Sequence, residues 1–386
     1  MKTRNEMKLP QWKQQQGFTL VELMVGLAIG LLALIIITQV FATSNQQNRQ
    51  IASGNDVQQA ATIVNYRIGN ILRQAGSNLL PKGNAWGCGL QAVKDSETLL
   101  PAASWPEPFS AIPGDLRVTP VAVWGASTAP TSRESDILLA LGGSGGTSAV
   151  FSAMANASDS SVTVENSNGV LPSDYLLMAN SKTIGDDCFL FKVSPDFALP
   201  HKDGKLENTP KTIPLDQKFI VNGSLTTMSG KKPSLFNLGV SPKFYMIGVH
   251  PEKMALSLYD LLQNRNAGTT GSAVTLGENV FLLRVLYGVA DPDTGKLDWQ
   301  SPTASGWTFS ELQAGTKAAN DRLSRIRSLR IALVMRATHP SSDLSPTLIR
   351  LFSSLGGSLQ QTVALTNAER KYRYQVYETV VPLFNS

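Results

Sequence analysis

Hydrophobic residues fall into three regimes along this chain. From Phe18 to Phe41 they are nearly continuous, a run of 24 residues in which Glu22 is the only charge. At 1.5 Å of rise per residue, a helix of that length crosses a hydrocarbon layer of about 30 Å. Secretory signals have a shorter apolar stretch, about 7 to 15 residues, and a small-residue exit; this run is longer and has no such exit, so its wholesale removal is disfavoured. From Ala42 to Ala75 there is no proline, and Val57, Ala61, Val64, Ile68 and Leu72 recur at helical spacing. The pattern predicts an amphipathic continuation over 42–76, with Gln46, Gln47, Asn48, Arg49, Gln58 and Gln59 solvated and the apolar stripe covering a sheet. Gly76 is the expected stop, with Pro81 and Gly83 beyond. A coiled coil is the competing reading, but the stripe spans barely two heptads.

After residue 77 the period changes to short alternating or continuous apolar runs divided by Gly, Pro, Ser and Asn. Strands are expected at Val118–Trp124, Asp136–Leu141, Ser161–Glu165, Tyr175–Ala179, Cys188–Val193, Phe244–Val249, Val280–Val289, Leu329–Ala337 and Tyr372–Val381. In Leu329–Ala337 the buried candidates are Leu329, Ile331, Leu333 and Met335, with Arg330 and Arg336 on the other side. In the last run Tyr372, Tyr374, Val376 and Val380 share one side. The fold class is therefore α+β: a long amino-terminal helix, membrane-spanning and then amphipathic, packed on a large, mainly antiparallel β-sheet domain. The segments are 1–17, 18–41, 42–76 and 77–386. The last is near the size limit of one hydrophobic core, which leaves room for a second lobe, with a soft boundary between Lys202 and Ser234.

Composition narrows the chemistry. With 42% hydrophobic and 16% charged residues, the chain is too apolar and too weakly charged to be disordered. Of the net charge of +5, +3 lies in the first 17 residues, so the basic balance is no nucleic-acid signature and no nucleic-acid partner is expected. Positive charge precedes the apolar run and is scarce just after it, Arg49 coming first. That asymmetry predicts a single-pass membrane chain with its amino terminus in the cytoplasm and the remainder outside. Cys88 and Cys188 form no C-x-x-C pair, and His201, His250 and His339 are scattered, so neither a metal centre nor a cofactor is expected.

Glu22 does not fit a plain anchor, because a carboxylate there costs on the order of 2 to 3 kcal/mol on insertion scales. It either snorkels to the headgroups or finds a partner. A cut between Gly17 and Phe18 would expose an amine about 6 Å along a helix from Glu22, and a neighbouring subunit's amine could neutralise the carboxylate.

Gly17-Phe18-Thr19-Leu20-Val21-Glu22-Leu23, behind a basic leader and before a long apolar helix, resembles the class III signal of type IV pilins and type II secretion pseudopilins. The resemblance implies that a prepilin peptidase removes residues 1–17 and methylates the new terminus at Phe18, and that Glu22 serves subunit recruitment. Gln74-Ala75-Gly76, Gly87-Cys88, Gly277-Glu278-Asn279-Val280, Tyr287-Gly288-Val289 and Arg330 to Arg336 are similar to the PilW family of minor pilins; residues 100–270 carry no motif of it. What this implies is a non-enzymatic minor pilin that primes or caps a type IV pilus. Its implied partners are prepilin peptidase, other minor and major pilins, the inner-membrane pilus platform and membrane lipid. A minor pseudopilin of type II secretion is the alternative.

Four further features carry candidate chemistry. In an oxidising compartment Cys88 and Cys188 are either a disulfide or two buried thiols. Gly142-Gly143-Ser144-Gly145-Gly146 satisfies G-x-S-x-G, the basis of a remote membrane-anchored hydrolase reading with Ser144 as nucleophile, but a Gly/Ser run matches it by composition. Asp291, Asp293 and Asp298 offer oxygen donors for calcium, yet Pro302 stands where a bidentate Glu belongs, and a turn explains the same residues. Arg322, Arg325, Arg327, Arg330 and Arg336 are a basic cluster without interleaved aromatics, read as a solvated face.

Overall fold

Helix-forming residues without a proline from Leu20 onward give one helix, Leu20–Arg73, of 54 residues. The computed structural model describes residues 17, 19–79, 85–144, 150–152, 160–165, 167, 169–180, 182–198, 201–202, 205–206, 211–221, 223–228, 231, 233–262, 271–341 and 343–383. It divides into two compact units, Met1–Ser53 and Gly54–Ser386. In the first, the described helix residues from Leu20 to Asn45 are exposed on every face. In the second, Val57, Ala61, Val64, Ile68 and Leu72 are buried as one stripe, and Gln58 and Gln59 are exposed. The helix ends at Arg73, three residues before Gly76, whose φ of 78° reverses the chain at no steric cost.

Each expected strand run overlaps an observed strand. They assemble into three principal sheets. A six-stranded sheet runs Glu97–Leu100, Gly89–Lys94, Asp187–Lys192, Tyr175–Ala179, Ser234–Gly239, Val150–Ser152. A five-stranded sheet runs Val274–Gly277, Ala255–Asp260, Lys243–His250, Ile137–Gly142, Val121–Trp124. The third, of four strands, is Leu297–Gln300, Val280–Ala290, Ile326–Pro340, Tyr372–Pro382. Among the described strands the pairing is antiparallel except between Gly89–Lys94 and Asp187–Lys192.

The helix stripe joins these sheets in the main apolar cluster, which includes Leu90, Leu139, Phe244, Leu283 and Leu333. Close approach is visible at Gly277, where a Cβ would sit 2.2 Å from Val64 Cγ2, and Arg67 donates to the Leu276 carbonyl at 2.6 Å beside it. A fully buried ion pair, Arg284 to Asp136 at 3.1 Å, ties the strand Val280–Ala290 to the loop before Ile137. The Asp136 carboxylate also accepts the N–H groups of Ala126 and Val285, so its lone pairs are satisfied.

Two satellite clusters were not read from the sequence pattern. One holds Val162, Leu176, Phe191, Ile213 and Leu215. Residues 202–234, the stretch expected to hold a soft boundary, contribute Ile213, Leu215, Ile220 and Met228 to it. The other holds Leu282, Leu286, Ala332, Val334, Leu351 and Phe352: the even-numbered face of Ile326–Pro340 is covered by the hairpin Leu348–Leu351/Gln361–Ala364.

Candidate functional site

The site with the densest expected chemistry is the start of the helix. Glu22 is the third residue of the helix that opens at Leu20. Its Oε2 lies 3.4 Å from the Thr19 N–H and 3.3 Å from the Thr19 hydroxyl, and the Glu22 N–H donates to Thr19 Oγ1 at 3.3 Å. This is a reciprocal capping box: it occupies helix-terminal N–H groups and sets a carboxylate at the positive end of the dipole. Thr19-x-x-Glu22 is the sequence signature of that box, and reading Glu22 only as an intramembrane charge missed it. The structure describes Gly17 as non-helical; Phe18 and residues 1–16 lie outside the described residues.

Four residues on from Glu22 and again after four, Gly26 and Gly30 open a shallow groove on the same helix face, walled by Leu23, Leu27, Leu31 and Leu34. A Cβ added at either glycine meets nothing within 4 Å. Gly26-x-x-x-Gly30 is the small-residue spacing that lets helices approach closely within a bilayer. The helix from Leu20 to Asn45, 26 residues with mean hydropathy 2.8, is long and apolar enough to cross a membrane.

Elsewhere the candidates resolve into structural roles. Cys88 and Cys188 are bonded, their Cα atoms 5.6 Å apart. The parallel register that sets Leu90 beside Cys188 brings the two segments together. The closed loop, with a sequence separation of 100, contributes about 4 to 5 kcal/mol in the chain-entropy account. Gly142 and Gly143 lie against the turn that follows the helix, where Gly76 N–H donates to the Leu141 carbonyl and Gly143 N–H to the Ser77 carbonyl, each at 2.7 Å. A Cβ at Gly142 would meet the Gln74 carbonyl oxygen at 2.3 Å, which explains the first glycine of the G-x-S-x-G run. Ser144 Oγ accepts the Ser241 N–H at 3.0 Å and lies 3.4 Å from the Leu238 carbonyl, so it is held within a loop contact; Gly145 and Gly146 lie outside the described residues.

Asp291 Oδ1 accepts the N–H groups of Asp293 and Thr294 and the Thr294 hydroxyl, closing a turn on itself. The bonds from Thr294 hold its carboxyl below the usual range. Asp298 lies 3.7 Å from Lys296 Nζ, and no cluster of three metal-ligating side chains occurs among the described residues. The arginines are engaged separately. Arg325 donates to the Ala290 carbonyl, Arg330 pairs with Glu378 at 2.6 Å over Trp299 and Phe352, and Arg336 lies 4.4 Å from the Tyr372 ring centroid.

Comparison with known families places two matches on this geometry. Residues 12–38 match the prokaryotic N-terminal methylation motif, covering Gly17, Phe18, Glu22 and both groove glycines. Residues 244–385 match the type IV pilus-assembly protein W family, PilW, covering the helix-contacting Gly277 and the whole four-stranded sheet. No curated protein and no solved structure matches the chain.

Proposed function

We propose that this chain, a pilin of the PilW family, acts as a minor pilin that primes or caps the type IV pilus through its amino-terminal helix once residues 1–17 have been removed. The reading is supported above all by the meeting of a methylation-motif match with an apolar helix that has a carboxylate and an open glycine groove on one face. The PilW match favours the pilus over a secretion pseudopilus, since the methylation motif alone fits both. The substrate of the peptidase is the Gly17–Phe18 peptide bond, and the methylated amine is that of Phe18.

In this scheme the helix crosses the inner membrane with the leader in the cytoplasm and the β-sheet unit in the periplasm, and prepilin peptidase frees the Phe18 amine. Before assembly the capping box and the nearby interface hold the Glu22 carboxylate in an apolar segment. During assembly a neighbouring pilin's helix enters the groove at Gly26 and Gly30, and its terminal amine faces Glu22 across a water-poor contact where opposite charges attract strongly.

One substitution separates the charge from the cap. Glu22→Gln retains capping-box geometry but has no charge. We expect Glu22→Gln and Glu22→Ala alike to leave leader cleavage intact, by mass of the mature chain, and to reduce surface fibres at least about tenfold, a shift of roughly 1.4 kcal/mol. Normal fibre numbers with Glu22→Gln would leave Glu22 as a cap alone.

A further inference from the structure

The terminal strand Tyr372–Pro382 is the edge of the four-stranded sheet, bonded on one side to Ile326–Pro340. Among the described residues no strand pairs with its other side. The direction of its backbone groups follows from the antiparallel ladder. Leu383 N–H donates to the Arg327 carbonyl at 2.8 Å, and the register continues through Leu329↔Val381, Ile331↔Thr379, Leu333↔Tyr377 and Met335↔Gln375. Bonded pairs alternate in such a ladder, so the N–H and C=O groups of Tyr374, Val376, Glu378 and Val380 point away from the sheet.

This open stretch has defined ends. At one, the Ser345 hydroxyl donates to the Tyr372 carbonyl at 2.6 Å. At the other stands Pro382, which has no N–H to offer. Between them the usual protection of an edge is missing. Solvent-exposed edges are commonly blunted by lysine, proline or a bulge. Here the only charged residue from Tyr374 to Val380 is Glu378, and its carboxylate is turned onto Arg330 at 2.6 Å and the Phe352 N–H at 2.6 Å. Val376 and Val380, on the same side of the strand, remain 37% and 49% exposed.

A row of outward donors and acceptors is satisfied by another extended backbone and not by a helix, whose own groups are paired internally. The neutralised charge and the two valines favour uncharged, alternately apolar side chains on that backbone. We propose that this edge receives an extended, uncharged strand of another pilin subunit, which becomes the fifth strand of the sheet. That the partner is a pilin rests on the function proposed above; that it is a strand rests on the edge itself.

Backbone amide exchange of the full chain, in membranes of cells that contain or lack the other pilins, tests this. We expect the amides of Tyr374, Val376, Glu378 and Val380 to exchange at least about tenfold more slowly when the other pilins are present. Val376→Pro removes one outward N–H while leaving the bonds to Ile326–Pro340, so it should abolish that slowing without loosening the Ile331 or Tyr377 amides; Val376→Thr should preserve it. Fast exchange of the four amides in both membranes would overturn the docking edge. Slow exchange in both would overturn the choice of partner, pointing to a second copy of this chain. Should Val376→Pro disturb the sheet, the wild-type comparison decides by itself. Fibre numbers in cells lacking this chain report separately on the assembly role, so the two readings fail independently.

Discussion

The two halves of the helix Leu20–Arg73 share a backbone geometry and differ in what their side chains meet. From Leu20 to Asn45 apolar residues cover the whole circumference and all are exposed; further on, Val57, Ala61, Val64, Ile68 and Leu72 form one stripe buried in the main cluster, while Ile63 and Tyr66 remain exposed. A helix that is apolar all round cannot be solvated in water, so the first half requires lipid or other helices as its surroundings. The second half finds its partner within its own chain. A periodic sequence thus reports which part of an element is completed internally, and a featureless apolar one reports that completion comes from outside.

Two pairs of substitutions and a change of pH probe that contrast, beginning with the largest effect. Leu72→Ala should lower the unfolding free energy of the full chain in detergent by about 2 to 5 kcal/mol, because Leu72 is fully buried and leaves a cavity. Leu31→Ala, the same chemical change at an exposed position, should alter it by no more than about 0.5 kcal/mol. Denaturant titration followed by tryptophan fluorescence measures both; equal losses would erase the distinction between the halves.

Glycines sharpen it further. At Gly277 an added methyl runs into Val64, so Gly277→Ala should destabilise the sheet unit by about 1 to 3 kcal/mol. At Gly26 the methyl has open space, so Gly26→Ala should leave unfolding unchanged and reduce fibre assembly instead. A thermal scan beside a fibre count distinguishes the two outcomes.

The smallest effect is expected from pH. Glu369 is held at about 2, chiefly by its hydrogen bonds from Arg133, with Thr366 assisting. A carboxylate depressed in the folded state contributes stability in full above its ordinary value near 4.5. That contribution is lost as pH falls from there towards 2, and because both side chains are partly exposed it is modest. Glu369→Gln should flatten the stability profile in that window, and the helix between Leu20 and Asn45 should show no change in circular dichroism across it.

The candidate site is local, yet the groove at Gly26 and Gly30 was not read from the sequence. Gly17, Phe18 and Glu22 follow one another closely, and capping and helix-groove geometry depend on residues within a turn or two. The capping role of Glu22 was equally local and was overlooked in favour of its charge. Strands such as Tyr175–Ala179 and Val280–Ala290 were legible from their apolar runs. Gly89–Lys94 was not: its apolar residues are few, and it is a strand because it lies between Glu97–Leu100 and Asp187–Lys192.

The sequence by itself determined the apolar helix, its amphipathic continuation, the likeness of residues 12–38 to a methylation motif and the β-rich remainder, since each rests on period, length or a contiguous motif. Only the tertiary structure decided which cysteine alternative holds, why Gly142 and Gly277 lack side chains, which sheet face the Leu348–Leu351 hairpin covers, and which strand is left with an open edge. Those outcomes depend on contacts between residues far apart in the chain, and their energies arise from register and close approach that no local pattern encodes.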